Sequence, residues 1–366
     1  MNIPLFKVFM SKNIDEPLLK VLHSGWIGQG PKVKEFEEAL SKRFNSKYPL
    51  TLSAGTHGLS LALRLCNVEP GDEVITTPLT CTATNMPILM HGAKIVWADI
   101  RSDMNIDPDS ILKKITPKTK AIMAMHWGGY PANMEQIHDI AKVHNLFVIE
   151  DAAHAYGSTY KDSVIGDCTY SHFTMMSFQA IKALSVVDGG CLFCKDQSDY
   201  DRGKLLRWYG IDRESARTDF RCEEDIKEWG YKYHMNDVCA QIGLINMPEV
   251  EDNIQKTIDN ANYYNEELGK LDGINVCQFE KDRQSSYWIY TVQVENRSEF
   301  CYSMGSKGIA VSRVHERNDK HNFAKEFRCE LPMLEYVVDR MISLPVGWWV
   351  TKEQREFIIS CIKKGW

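Results

Sequence analysis

The chain has 366 residues, of which 44% are hydrophobic and 25% charged, so it is long enough to bury a large core without disulfide or metal staples. Its 43 Lys and Arg and 49 Asp and Glu residues give a formal charge of −6 without blocks of one sign, which argues against nucleic-acid binding. No apolar run approaches the roughly 18 residues that cross a bilayer, and the first residues lack the apolar core of a signal peptide. We therefore expect a soluble, cytoplasmic protein with its eleven cysteines reduced, and small molecules or other copies of the chain as partners.

Helical and strand-like segments alternate through the first 150 residues. Two helices come first, one ending at Gly25 and one opening with Pro31 and ending near Asn45. Short apolar runs then alternate with helical stretches, and the predicted strands are YPLTL, EVITT, AKIVWADI, KAIMAMHW and LFVIED. This alternation, with strands that are apolar on both faces, predicts a mostly parallel sheet covered by helices.

The pattern changes after Asp151. CTYSHFTMMSF and GGCLFC predict two more strands of the same sheet, and a long amphipathic helix is predicted to begin near residue 247. It leads to strands predicted near INVCQF and YWIYTVQV. We therefore divide the chain into a large α/β domain, 1–247, and a smaller C-terminal α+β domain, 248–366.

The segment SAGTHGLS, 53–60, follows a predicted strand and opens a predicted helix. Backbone N–H groups and the helix dipole at such a position bind phosphate. Gly55 permits close approach of a ligand, and Thr56 offers an N–H and a hydroxyl. An ordinary helix start has the same pattern, so both interpretations stay open here.

Asp151 stands at the C-terminal end of the predicted strand LFVIED, the edge where ligands bind in open α/β sheets. A carboxylate at this edge can bind a metal, a hydroxyl or a ring nitrogen, and His154 is close enough in sequence to reach the same space. The alternative is a helix N-cap aspartate beside a surface histidine.

Lys182 lies in SFQAIKALSVVDGG, a run with no other charge before Asp188. Apolar neighbours disfavour the ammonium form, so we expect a lowered pKa and an available neutral amine, the form that makes Schiff bases. The alternative is a lysine that extends from a loop into water. A phosphate-binding helix start, a strand-end aspartate and this lysine together are what pyridoxal 5′-phosphate (PLP) requires, and Ser177 adds a hydroxyl for its phosphate.

Several motifs in one order make the chain similar, over most of its length, to the DegT/StrS group of sugar-nucleotide aminotransferases, which are fold-type I PLP enzymes. The matching segments are SGWIGQGPKVKEFE, AGT at 54–56, HWGGYPANM at 126–134, EDAAH at 150–154, SFQAIK at 177–182 followed by GG, and GYKYHMND at 230–237. The resemblance implies a mostly parallel seven-stranded sheet flanked by helices, a smaller C-terminal α+β domain, and a homodimer with a composite active site.

The resemblance also assigns roles to individual residues. Lys182 and Asp151 are the catalytic pair, Lys182 carrying PLP as a Schiff base and moving protons, and Asp151 pairing with the ring nitrogen. The cofactor-binding residues implied are Gly55, Thr56, Cys81, Asp151, His154, Ser177, Lys182 and Lys232. Cys81 stands where the group commonly stacks an aromatic ring, and Lys232 where the group often has an Asn that reaches the neighbouring subunit's cofactor phosphate. A surface lysine between two tyrosines is the second interpretation of Lys232. The implied substrate-binding residues are Trp26, His126, Arg313 and His315.

The implied reaction is transfer of an amino group from glutamate to a keto sugar on a nucleotide, with pyridoxamine 5′-phosphate as the intermediate cofactor form. We expect amination at C-4 of a UDP- or dTDP-4-keto-6-deoxyhexose, with C-3 amination as a close competitor. A pyridoxamine-phosphate-dependent sugar dehydratase and a non-catalytic regulatory relative also stay open. No metal site is expected, because the single CxxC of Cys191 and Cys194 lies on a predicted strand, where the two thiols point to opposite faces.

Overall fold

The computed structural model describes residues 2–214, 219, 225–277 and 279–366. In these residues the helices are α1 (Asp15–Leu22), α2 (Pro31–Phe44), α3 (Gly55–Leu65), α4 (Thr82–Met90), α5 (Pro108–Lys114), α6 (Met134–His144), α7 (Gln197–Leu206), α8 (Asp237–Leu268), α9 (Arg297–Ser306), α10 (Pro332–Val338) and α11 (Lys352–Lys363). The strands are β1 (Pro49–Leu52), β2 (Glu73–Thr76), β3 (Lys94–Trp97), β4 (Thr119–Met125), β5 (Phe147–Asp151), β6 (Thr159–Tyr160), β7 (Ser163–Val164), β8 (Phe173–Ser177), β9 (Gly190–Cys194), β10 (Ile274–Val276), β11 (Arg283–Gln284), β12 (Tyr290–Val294) and β13 (Met341–Leu344). Short 3-10 helices occupy Trp127–Gly129, Asn318–Lys320 and Asn322–Phe327.

The main sheet has seven strands in the order β1-β9-β8-β5-β4-β2-β3. Strands β8, β5, β4, β2 and β3 run parallel, while β9 is antiparallel to both β8 and β1. The expected mostly parallel sheet flanked by helices is confirmed. Six of the seven strands therefore end at the same edge, and the loops that follow them meet there.

The strands are apolar on both faces because each face packs under helices. In β4, Ala121 and Met123 join one cluster of buried side chains, whereas Ile122 and Ala124 join the other. Successive side chains of a strand point to opposite faces, so a sheet covered on both sides needs a continuous apolar run. This explains why the β4 sequence could be read as a strand without alternation.

Helix α8 begins ten residues before the predicted start. The Asn236 side chain accepts a hydrogen bond from the backbone N–H of Cys239, which caps the helix at its true N-terminus. The prediction placed the start near Pro248, a residue more often found in a first turn than in a helix interior. Pro248 lies inside the helix and is exposed, so its ring faces solvent. The domain division at residue 247 therefore falls within a continuous helix, and it stays a prediction.

The C-terminal part contains an antiparallel sheet of β10, β12 and β13, together with α9 to α11. The N-terminal segment packs on this part: the backbone N–H of Ile3 donates to Gly308 O, and the indole N–H of Trp349 donates to Pro4 O. A third small sheet pairs β11 with the β6–β7 hairpin that follows β5.

In the described part of the chain, no helix is both long enough and apolar enough to cross a bilayer.

Candidate active site

The start of α3 lies directly against the end of β8. A Cβ built on Gly55 would stand 3.0 Å from Met175 Sδ and 3.2 Å from Ser177 Oγ, and one on Gly190 would stand 2.8 Å from Gly55 Cα. No side chain caps the α3 N-terminus, so the helix presents its first N–H groups, with Thr56 next in the chain, beside the Ser177 hydroxyl. This arrangement of N–H donors, dipole and hydroxyl suits a phosphate group.

Asp151 ends β5 and is buried. Its Oδ2 accepts a hydrogen bond from the Thr84 hydroxyl at 2.7 Å, and its Oδ1 accepts one from the N–H of Ala153 at 3.1 Å. Burial raises the pKa of the Asp151 carboxyl, whereas Thr84, Ala153 and Lys182 act to lower it. A buried carboxylate with few charge partners is suited to binding a protonated ring nitrogen.

Lys182 lies in the loop between β8 and β9, and its Nζ stands 3.6 Å from the ring centroid of Trp288. Burial lowers the pKa of the Lys182 ammonium to about 8, while Asp151 and Cys81 act in the opposite direction. The lowered pKa agrees with the expectation from the apolar sequence around Lys182. A pKa of about 8 leaves the amine mostly protonated at pH 7, with a minority in the neutral form.

Two histidines complete the surroundings of the lysine. The His154 ring stacks on Trp288 at 3.8 Å and lies parallel to His315 at 5.7 Å. Burial holds the pKa of His154 well below its ordinary value and lowers that of His315 to about 4, and Lys182 acts on both in the same direction. Both imidazoles are therefore neutral at physiological pH. Within the described residues, His154 Nδ1 and His315 Nε2 are buried without a hydrogen-bond partner.

Cys81 precedes α4 as its N-cap residue and is partly buried. It lies close enough to Lys182 to affect the pKa of that lysine. The aromatic ring that contacts Lys182 is Trp288, which comes from the C-terminal part rather than from position 81.

The remaining predicted site residues are either bonded to other groups of the protein or exposed. His126 is fully buried and uses both ring nitrogens within the chain: Nε2 pairs with Glu150 at 2.9 Å, and Nδ1 accepts from the N–H of Ala132 at 3.1 Å. The Arg313 guanidinium forms a two-pronged ion pair with Glu316. In the single chain, protein groups therefore engage His126 and Arg313, two of the four residues that were expected to contact substrate. Trp26 is 63% exposed and Lys232 is exposed, so the single chain does not enclose either residue in the site.

Three residues beyond those predicted as site residues belong to this site. Thr84 holds Asp151, and Trp288 covers Lys182. Asn318 is fully buried, and its Nδ2 donates to Thr80 O at 2.7 Å, which fixes the loop before Cys81. The local signals were weak: Thr80 and Thr84 lie on either side of the start of α4, and Trp288 lies in YWIYTVQV, which was predicted only as a strand.

The geometry fits PLP at four points. Gly55 leaves the space beside Ser177 that a Cβ would fill, Asp151 offers a buried carboxylate, and the unpaired Nδ1 of His154 offers a ring-side polar atom. Lys182 supplies the amine for the aldehyde.

Comparisons with known proteins agree with this geometry. A model of the DegT/DnrJ/EryC1/StrS aminotransferase family matches residues 9–363. The UDP-4-amino-4-deoxy-L-arabinose–oxoglutarate aminotransferase of Shewanella sediminis is 33% identical over 276 residues, covering 74% of this chain and 70% of that protein.

Solved structures show the same fold. The sugar aminotransferase CalS13 from Micromonospora echinospora is 37% identical with a TM-score of 0.95, and each chain is covered completely. The PLP-form of Spr1654 from Streptococcus pneumoniae, described as a candidate sugar aminotransferase, is 26% identical with a TM-score of 0.90 over 100% of this chain and 98% of that one. These structures confirm the expected fold-type I PLP-transferase fold.

Proposed function

Because the chain belongs to the DegT/DnrJ/EryC1/StrS aminotransferase family, we propose that it uses PLP to transfer an amino group from glutamate to a nucleotide-linked keto-deoxy sugar. The observation that carries the proposal is the meeting, at one sheet edge, of the α3 N-terminus, the buried Asp151 carboxylate and the Lys182 amine. Each matches one functional group of PLP: the phosphate, the ring nitrogen and the aldehyde.

The residues present divide the work of holding the cofactor. The α3 N-terminus with Gly55, Thr56 and the Ser177 hydroxyl would hold the phosphate, and Asp151 would hold the ring nitrogen. PLP bound to a lysine amine supplies an electron sink for the carbon that carries the amino group.

Lys182 is the group that moves the proton. With a pKa of about 8, the freed amine would accept a proton from the donor Cα and release it at C4′, the aldehyde carbon of the cofactor. Asp151, held by Thr84, would lie beside the ring nitrogen and, as a carboxylate, would favour its protonated form. His154 and His315, both neutral, can donate or accept hydrogen bonds without adding a charge that would compete with Asp151.

The overall reaction exchanges an amino group for a carbonyl oxygen. Glutamate gives its amino nitrogen and Cα hydrogen and becomes 2-oxoglutarate, while the sugar ketone becomes an amine-bearing CH carbon. Water enters in the first half-reaction and leaves in the second, so atoms and electrons balance. We propose C-4 of a UDP- or dTDP-4-keto-6-deoxyhexose as the acceptor, with C-3 as its competitor. The Shewanella sediminis relative is named for a UDP-linked 4-amino sugar and for oxoglutarate. This name supports C-4 as the aminated carbon and glutamate as the amino donor.

We further propose that the active protein is a homodimer with a composite site. Lys232 and Trp26 are both exposed in the single chain, although the motifs that contain them match the family's active-site segments. A neighbouring subunit would place Lys232 against the cofactor phosphate, where its ammonium would act as a point charge.

Absorbance and product analysis test the proposal. Protein loaded with PLP should be yellow, glutamate should bleach the band, and Lys182→Ala should lack the band and lose at least about 10³-fold in activity. Lys7→Ala is a matched control, because Lys7 lines the same cavity as Lys182 but is not the proposed attachment point. Incubation with UDP- and dTDP-linked 4-keto and 3-keto sugars, followed by NMR of the products, assigns the aminated carbon. A wild-type protein that cannot be loaded with PLP would refute the proposal.

A further inference from the structure

Trp288 is anchored beside Lys182 from three directions. Its indole N–H donates to the carbonyl of Ile181, the residue before Lys182, at 2.8 Å. One neighbour of the ring is His154, with centroids 3.8 Å apart, and another is Phe6 of the N-terminal segment at 5.1 Å. The ring is thus fixed in place against the loop that carries the lysine.

The Lys182 amine lies against the face of this ring. Its Nζ lies 3.6 Å from the ring centroid, well within the roughly 6 Å over which an indole attracts an ammonium. Trp is the strongest of the three aromatic side chains in this interaction because of its large quadrupole. The contact favours the protonated amine over the neutral one, whereas burial favours the neutral one.

On the basis of the proposed function, we propose that Trp288 is a positioning residue for Lys182: its indole face receives the ammonium form of the freed lysine and holds it between accepting and releasing a proton. Asp151 attracts the protonated lysine electrostatically but is needed at the ring nitrogen, and the indole face gives the ammonium a second partner. Trp288 therefore keeps the two catalytic charges apart. The bond that Trp288 makes to Ile181 ties the position of the ring to the position of the lysine.

Other charged or titratable groups also face Lys182, and their contributions must stay constant in a test. They come from the end of β5, the start of α4, the loop after β5, the segment before the 3-10 helix at Asn318–Lys320, and the N-terminal segment, and they are Asp151, Cys81, His154, His315 and Lys7. A substitution at position 288 replaces none of these residues, but His154 and His315 also contact the Trp288 ring, so the control must border the same two imidazoles.

The test measures when Lys182 becomes a neutral amine. Purified wild-type protein, stripped of cofactor, is mixed with PLP at a series of pH values, and the rate at which the visible absorbance of lysine-bound PLP appears is plotted against pH. The midpoint of this curve is the pH at which half of Lys182 is a neutral amine. Trp288→Leu removes the aromatic face and should move this midpoint downward by about half a unit to one and a half units, the value of a close cation–π contact. Trp288→Phe keeps a weaker aromatic face, so its midpoint should lie between those of wild type and Trp288→Leu.

Trp127→Leu is the matched control. Trp127 is a buried tryptophan, whereas Trp288 is partly buried. Trp127 contacts His154 and His315 edge-on, but its indole N–H bonds to Thr291 in the C-terminal part. We expect it to leave the midpoint unchanged. Should Trp288→Leu not fold, as judged by circular dichroism, Trp288→Phe still decides, because its weaker ring must lower the midpoint.

An unchanged or higher midpoint in the Trp288 variants, or an equal shift in Trp127→Leu, would overturn the inference. The failure of the proposed function has a different signature, since wild-type protein would then form no lysine-bound PLP at any pH.

Discussion

The hydroxyl of Thr84, on the first turn of α4, donates a hydrogen bond to Oδ2 of Asp151 at the end of β5 across 2.7 Å. Thr84 in turn shares a 2.6 Å hydrogen bond with Thr80. All three side chains are buried, so water cannot replace either bond. The ionisation of Asp151 therefore depends on a helix residue that lies 67 positions earlier in the chain.

Thr84→Val should weaken PLP binding. The substitution keeps the shape of the side chain but removes the donor, so burial raises the pKa of Asp151 further and the carboxylate becomes less available to the ring nitrogen. A hydrogen bond to a charged group is worth about 1.5–3 kcal/mol, so the dissociation constant should rise at least about ten-fold. Titration of cofactor-free protein with PLP, followed by absorbance, measures it. Thr84→Ser keeps the hydroxyl and should bind nearly as wild type does; equal affinities for Val and Ser would contradict the prediction.

Asp151→Asn should stabilise the cofactor-free protein at neutral pH while abolishing tight PLP binding. The folded-state pKa of Asp151 is raised, so its contribution to stability is full below the unfolded pKa and is lost as pH rises through the folded value. Removing the buried charge should therefore increase the free energy of unfolding by on the order of 1 kcal/mol at pH 7. Urea unfolding at several pH values checks this. The gain should vanish in acid, and a gain independent of pH would rule out the charge as its cause.

Gly55→Ala should disrupt the phosphate site. The new Cβ would stand 3.0 Å from Met175 Sδ and 3.1 Å from Ser177 Cβ, so either these side chains, with the Ser177 hydroxyl, or the α3 N-terminus must shift. We expect PLP affinity to fall at least about ten-fold, a loss that corresponds to about 1.4 kcal/mol. Gly305→Ala, in α9, is the control, because its Cβ would meet nothing within 4 Å. If the two variants bind PLP alike, the close packing at Gly55 is not what shapes the site.

Asn318→Ala should destabilise the fold and loosen the site together. Its Nδ2 donates to Thr80 O and its Oδ1 accepts from Asn85 Nδ2 at 3.1 Å, so truncation leaves both of those groups short of a buried partner. The expected loss is about 2–4 kcal/mol in the free energy of unfolding, measured with urea. PLP binding should weaken as well, because the loop before Cys81 and Thr84 loses its anchor.

Lys320→Ala is the comparison for Asn318→Ala, because it lies two residues further along the chain and its side chain is 61% exposed. The substitution removes only a surface ion pair and should change stability by no more than about 0.5 kcal/mol. Destabilisation of similar size in both variants would point to a general sensitivity of the segment rather than to the Asn318 hydrogen bonds.

Much of the scaffold could be predicted from local patterns. The five early strands and the helix starts at Pro31 and Gly55 were expected from apolar runs and capping signals, and the structure has strands and helices at those places. The α8 start was missed because Pro248 is a stronger local start signal than Asn236, and only the exposed position of the proline on the folded helix makes it tolerable.

The candidate site also has a part that the sequence predicted and a part that only the tertiary structure shows. The sequence alone determined which chemical groups the chain places at the sheet edge. Gly55, Asp151 and Lys182 each end or follow a strand that can be predicted from its own apolar residues. Only the tertiary structure decided what those groups touch. Thr84 meets Asp151, Trp288 meets Lys182, and His126 uses both ring nitrogens inside the protein, because the fold brings together strands, helices and loops that are distant in sequence. Periodicity records the local conformation of a segment, whereas a contact between segments depends on how the whole chain packs its apolar faces.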